Sequence, residues 1–181
     1  CTTDDPADDL IWHKKLKAEG FDIHVLPSFR PGRALSIEAE DFSEYAHLLS
    51  EKTHENVSHV DGLLKALSSR LDDFVTAGCR VSDHSLDTDF YIPADEAQAD
   101  AIYQKGMEGR PVSPAEAAMY RGYLLTALGR EYHKRDLVMQ LHIGALRNTS
   151  SRMFARLGAD TGFDSMGDFS YAASLAGLMD A

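Results

Sequence analysis

Residues 137–148 read LVMQLHIGALRN. An apolar run of strand character ends on His142, glycine follows at 144, and Arg147 and Asn148 come soon after. An imidazole can give or take a proton near neutral pH. A guanidinium can clamp a carboxylate through two parallel hydrogen bonds, and an amide can hold a hydroxyl. Two further short apolar segments lead to polar groups, Ser28 and Arg30 and then Asp83 and His84, and the opening residues Thr2, Thr3, Asp4 and Asp5 read as the end of another such element. In parallel α/β folds the site lies at the carboxyl ends of the strands, so this repetition is the main functional signal in the pattern.

Each of these residues also has a plain structural reading. The TTDDP stretch can cap a helix, and Arg30, set between Pro27 and Pro31, can be a turn residue paired with an acid. Asp83 and His84 can mark a strand exit, and His142 can be a hydrogen-bonded core histidine. The histidines at 13, 24, 47, 54, 59 and 133 are scattered and read as structural or exposed. Met119, Tyr120 and Tyr123 lie on a helix face and read as packing. No dinucleotide fingerprint, Walker loop, HExxH, GxSxG or His-x-His motif occurs.

The elements that must position these groups alternate between strands and helices. Asp5, Pro6 and Asp8 predict a helix start, with Gly20 as its end. FDIHVLP predicts a strand near 22–26 stopped by Pro27. Helices are expected near 41–52, from a Ser58 cap to Gly78, near 95–105, and over 113–136, where Ser113, Pro114 and Glu116 form the start. Strands are expected near 79–83 and 137–142, and a last helix from about 169 with Asp168 as its cap. Strands separated by helices imply parallel pairing in sequence order, with extra helices in the long connections.

Composition bounds the class. At 181 residues, 44% hydrophobic and 26% charged, the chain can bury the core of one domain and is not a disordered tail. A net charge of −11 argues against nucleic-acid or anionic-membrane partners, while a local arginine still admits an anionic small molecule. Cys1 and Cys79 form no metal-ligand spacing, and with no signal-like start or spanning run they suggest a reducing cytoplasm. The start at Cys1, without methionine, suggests a piece of something longer.

The segments CTTDDPADDL, VLPSFRPGRA, GCRVSDHSLD, MQLHIGALRN and DTGFDSMGD stand in an order and spacing that resemble the uronate (glucuronate) isomerases of the amidohydrolase superfamily. The resemblance runs over essentially the whole chain. It implies an α/β fold that is part of a (β/α)8 TIM barrel, with residues 1–181 as one partial barrel segment. It implies interconversion of D-glucuronate with D-fructuronate, and of D-galacturonate with D-tagaturonate, through an enediol. His142 and Asp83 would then be catalytic, and Arg30, His84, Arg147 and Asn148 substrate-binding, though which of Asp83 and His84 faces the sugar is open. The full-length family member would carry a divalent metal, zinc being the expectation. Its His-x-His ligands and last-strand aspartate lie in regions this chain lacks, so no metal ligand is assigned here and the isolated piece is expected to be inactive. A sugar acid is the expected partner, with self-association into a homo-oligomer. A metal-dependent hydrolase of the same superfamily and a non-catalytic helical interaction module are the alternatives.

Overall fold

The computed structural model of the chain describes residues 1–86 and 89–181; Asp87, at the end of the SDHSLD segment, lies outside the described residues. The first strand, β1 (Thr2–Asp4), is followed by α1 (Ile11–Ala18), β2 (Pro27–Phe29) and the short α2 (Gly32–Leu35). Two longer helices, α3 (Phe42–Thr53) and α4 (Val60–Ala77), lead to β3 (Val81–Leu86). Next come α5 (Glu96–Met107), α6 (Pro114–Lys134) and β4 (Val138–Ile143). Two-residue strands, β5 (Ala145–Leu146) and β6 (Ser165–Met166), bracket α7 (Ser151–Leu157), and α8 (Ala172–Met179) comes last.

Strands β1 to β4 form one sheet in sequence order, with every neighbouring pair parallel. This is the arrangement that helical crossovers require, and it removes the reading of a helical module without a sheet. β5 and β6 make a separate antiparallel pair.

The helix-facing side of the sheet is apolar. Phe29 lies edge-on to Phe74, with ring centroids 5.1 Å apart, and Tyr132 stands 6.2 Å from Phe29. Leu63, Leu67 and Leu71 of α4 and Leu124, Leu125 and Leu128 of α6 are fully buried, at the 3.6-residue spacing that builds one apolar face on each helix. Two buried tyrosines return their hydroxyls to the backbone, Tyr120 donating to the Ala34 carbonyl at 2.8 Å and Tyr103 to that of Val57 at 2.7 Å, whereas the Tyr132 hydroxyl has no partner among the described residues. β4 adds Met139, Leu141 and Ile143, which are half-buried against the same core.

Several boundaries differ from expectation, each for a local reason. Asp5 does not start a helix, because its Oδ1 accepts from the Ala7 N–H at 2.8 Å, an Asx turn. Asp8 makes the same kind of turn with Leu10 at 2.6 Å. Leu10 then takes a left-handed φ of 52° with its side chain buried, and α1 begins only at Ile11. The expected strand at 22–26 is absent; Pro27 opens β2 instead of stopping it, since a first strand residue tolerates the missing N–H. β3 starts and ends later than expected, so Asp83 and His84 lie inside the strand and not at its exit. Ser58 does not cap α4; the Val60 N–H donates to Asp100 Oδ1 of α5 at 2.8 Å. The last helix begins at Ala172, with no side-chain cap. The α6 start matches its sequence, with a complete capping box between Ser113 and Glu116 and Pro114 in the first turn.

Gly62, in the first turn of α4, is a further packing constraint. A Cβ there would sit 1.8 Å from the Asn56 carbonyl oxygen, a backbone atom that cannot rotate away. Gly62→Ala is therefore expected to destabilise the protein by about 1–3 kcal/mol despite the better helix propensity of alanine, and urea unfolding will measure the shift in midpoint.

Candidate active site

Period-two alternation decides which side chains leave the core. On β3, Ser82, His84 and Leu86 are buried toward the helices, which puts Asp83 on the other face of the sheet. The register sets Phe29 of β2 beside Ser82, so Arg30 comes level with Asp83. Asp83 is likewise level with Gln140 of β4, and His142 is the next residue on that face. Thr3 of β1 is level with Ser28. Polar groups from all four strands thus gather on this face, with the Arg30–Asp83–Gln140 row in the middle, Thr3 and Ser28 one step before it and His142 one step after.

Asp83 is the centre of this row. Its side chain is only 6% exposed, whereas Arg30 is 37% and His142 52% exposed. Arg30 Nη1 and Thr3 Oγ1 each donate to Asp83 Oδ2 at 3.3 Å. His142 Nδ1 stands 3.0 Å from Oδ1, without the alignment of a hydrogen bond, so Oδ1 has no hydrogen-bond partner among the described residues. Arg30 is fixed at its backbone by an N–H donated to the Asp4 carbonyl at 3.0 Å, just before the chain turns into α2 at Pro31. Its remaining N–H groups and the Nε2 edge of His142 are the exposed chemistry.

The other expected residues are placed differently. His84 is 1% exposed in the layer between sheet and helices, its ring centroid 5.6 Å from that of Tyr132. It cannot touch a substrate bound on the Arg30 side and leaves the substrate-binding set. Arg147 and Asn148 are not drawn into the Asp83 row. Arg147 Nη1 donates to Asp164 Oδ2 at 2.6 Å, and the Asn148 N–H to Asp164 Oδ1 at 2.9 Å. Asn148 itself has a left-handed φ of 57°. Gln140 and Thr3 are additions to the site. The alternation in VMQLHI, which puts Gln140 and His142 on one face, is the signal that could have found the glutamine.

Among the described residues no group of three or more His, Cys, Asp or Glu side chains is placed to hold a metal ion. Asp83 and His142 offer two donors, but Arg30 already meets that carboxylate with a positive charge. These residues do not fit an ion, and no step of the proposed chemistry runs through one.

A parallel sheet whose exposed face gathers a guanidinium, a carboxylate and an imidazole has the arrangement that active sites of α/β enzymes take. The chain belongs to the glucuronate isomerase family, whose model matches residues 1–181. It is 46% identical to the uronate isomerase of Yersinia enterocolitica and 44% identical to that of Serratia proteamaculans, over 99% of this chain in both cases. The chain spans only 39% and 38% of the length of those relatives. Among solved structures, the uronate isomerase of Thermotoga maritima superposes with a TM-score of 0.89 at 34% identity, covering 99% of this chain and 40% of that one. The glucuronate isomerase of Caulobacter crescentus gives 0.85 at 27% identity, covering 99% and 37%.

Burial of His84 has a thermodynamic consequence. Neither ring nitrogen has a hydrogen-bond partner among the described residues, and removal from water pushes the imidazole down from 6.5 to about 4. The unfolded chain takes up a proton near pH 6.5 and the folded chain does not until about pH 4, so stability falls as pH falls through that window. His84→Leu should remove this acid-side loss, on the order of 3 kcal/mol at most, while the protein stays folded at neutral pH. Denaturation midpoints between pH 7 and 4 provide the check; a slope identical to that of the unaltered protein would rule the assignment out.

Proposed function

We propose that this chain is the middle part of a uronate isomerase, its sheet forming four consecutive strands of a (β/α)8 barrel whose interior is the Arg30–Asp83–His142 face. The carrying observation is the convergence of Arg30 and His142, far apart in sequence, on one face within 3.3 Å of the Asp83 carboxylate. Membership of the glucuronate isomerase family supports the reaction class and sets the hydrolase reading aside.

The substrate is a sugar acid, D-glucuronate or D-galacturonate, converted to the corresponding ketose. The proton on C2 is removed, the C2 hydroxyl proton moves to the C1 oxygen by way of an enediol, and a proton returns to C1, so the sum is an isomerisation with no redox partner. Arg30 carries a permanent charge with free N–H groups and anchors the carboxylate. His142, half-exposed beside it, holds or moves a proton at Nε2. Arg147 and Asn148 border the mouth, on the segment that follows β4. The outer strands β1 and β4 carry unpaired edges in this sheet, which supports self-association of the isolated piece. No helix among the described residues is long and apolar enough to cross a membrane, and both cysteines are free; we assign the enzyme to the cytoplasm.

In the full-length enzyme, His142→Asn is expected to lower uronate turnover by at least ~10²-fold with the fold intact. Arg30→Lys should stay impaired, because lysine keeps the charge and loses the planar fork. Steady-state isomerisation, with circular dichroism to follow folding, is the measurement. Near-normal turnover in both variants would reduce these residues to wall and turn.

A further inference from the structure

Asp83 is only 6% exposed, yet among the described residues it is the group that faces both exposed members of the site. Its carboxylate lies under Arg30 and His142 and is almost wholly shielded. An ionised carboxylate only accepts hydrogen bonds. With Nδ1 of His142 3.0 Å from Oδ1, a neutral ring protonated on Nε2 would set two lone pairs against each other. A ring protonated on Nδ1 needs only a small rotation to make a hydrogen bond, and such bonds often tighten when substrate binds. Oδ1 also lacks any other hydrogen-bond partner among the described residues, so it has an open place for this one.

We infer that Asp83 is a positioning residue that holds the proton of His142 on Nδ1, keeping Nε2 as the nitrogen presented to substrate, while its second oxygen fixes the guanidinium of Arg30. The two oxygens divide the work: Oδ2 meets the Thr3 hydroxyl and the Arg30 fork, and Oδ1 meets the imidazole. The carboxylate therefore ties β1, β2 and β4 to β3 at the level where the substrate would lie. Orientation of one ring nitrogen by a carboxylate on the other is how imidazoles are generally prepared for acid–base work. Loss of such an orienting carboxylate leaves the wrong tautomer and costs about 10²- to 10⁴-fold in turnover.

This inference rests on the isomerase reading for its kinetic arm only. In the full-length enzyme labelled with ¹⁵N-histidine, long-range ¹H–¹⁵N correlation spectra separate the two tautomers, and the His142→Asn spectrum assigns the His142 signals. The expected result is a proton on Nδ1 in the unaltered enzyme. In Asp83→Asn the proton should move to Nε2, since the asparagine amide can donate to Nδ1, and kcat should fall by about 10²-fold or more. Adding Asp83→Asn to His142→Asn should then lower kcat little further, because the two groups act through each other. A proton on Nε2 in the unaltered enzyme overturns the inference without any variant having to fold. So does a full Asp83→Asn penalty in the His142→Asn background. If the unaltered enzyme shows no isomerisation, the functional reading falls and the tautomer measurement alone decides the role of Asp83.

Discussion

The parity of β3 governs the rest of the site. Its central dipeptide puts two ionisable residues side by side, and a strand must send them in opposite directions. Asp83 goes to the open face, where its charge is met by a guanidinium, a hydroxyl and an imidazole. His84 goes into the apolar layer, where no polar partner among the described residues meets it and the ring stays neutral. A slip of one residue would bury the carboxylate among Phe29, Phe74 and Tyr132 and expose the histidine. An unpaired charge in such a layer costs far more than an unpaired neutral ring, so the register is set by solvation as much as by hydrophobic contact.

The two faces of the sheet also divide stability from chemistry. The helix side supplies aromatic and leucine packing from α3 to α6, with the Tyr103 and Tyr120 hydroxyls returned to backbone carbonyls. The other side holds few apolar groups and keeps its charges close to one another. Arg30 and His142 stay accessible because the helices do not cover them, while the carboxylate they share is kept out of solvent by the same two side chains. Rigid strands hold the groups, and the connections carry the length.

How far this was legible depended on whether the signal was local. The Ser113–Pro114–Glu116 start of α6 is written in adjacent residues, and the helix begins where they stand. Gly78, with its left-handed φ of 107°, closes α4 as its position indicates. The Asp5–Pro6 pattern is also local, but an Asx turn uses the same aspartate oxygen before a helix can. Pro27 looked like a stop because the apolar run precedes it, although the pairing partners lie after it. The segment 145–166 has no period that would reveal α7 or the β5–β6 pair. Arg30, Asp83 and His142 could be picked out as residues, but their meeting depends on the sheet register. The choice between Asp83 and His84 needed the strand's true limits.

The start of α4 is not self-contained. Its leading N–H is satisfied by Asp100, and the Ser58 carbonyl just before it accepts from Gln104 at 2.7 Å, both groups belonging to α5. An eighteen-residue helix is thus finished by a side chain that lies 40 positions downstream of the amide it caps. Without α5 the leading amide of α4 would lose this cap, while the Gly62 and Leu63 amides keep theirs on the His59 carbonyl. Because α4 and α5 lie in consecutive crossovers, the two connections are joined through this cap and are not independent strand–helix–strand repeats.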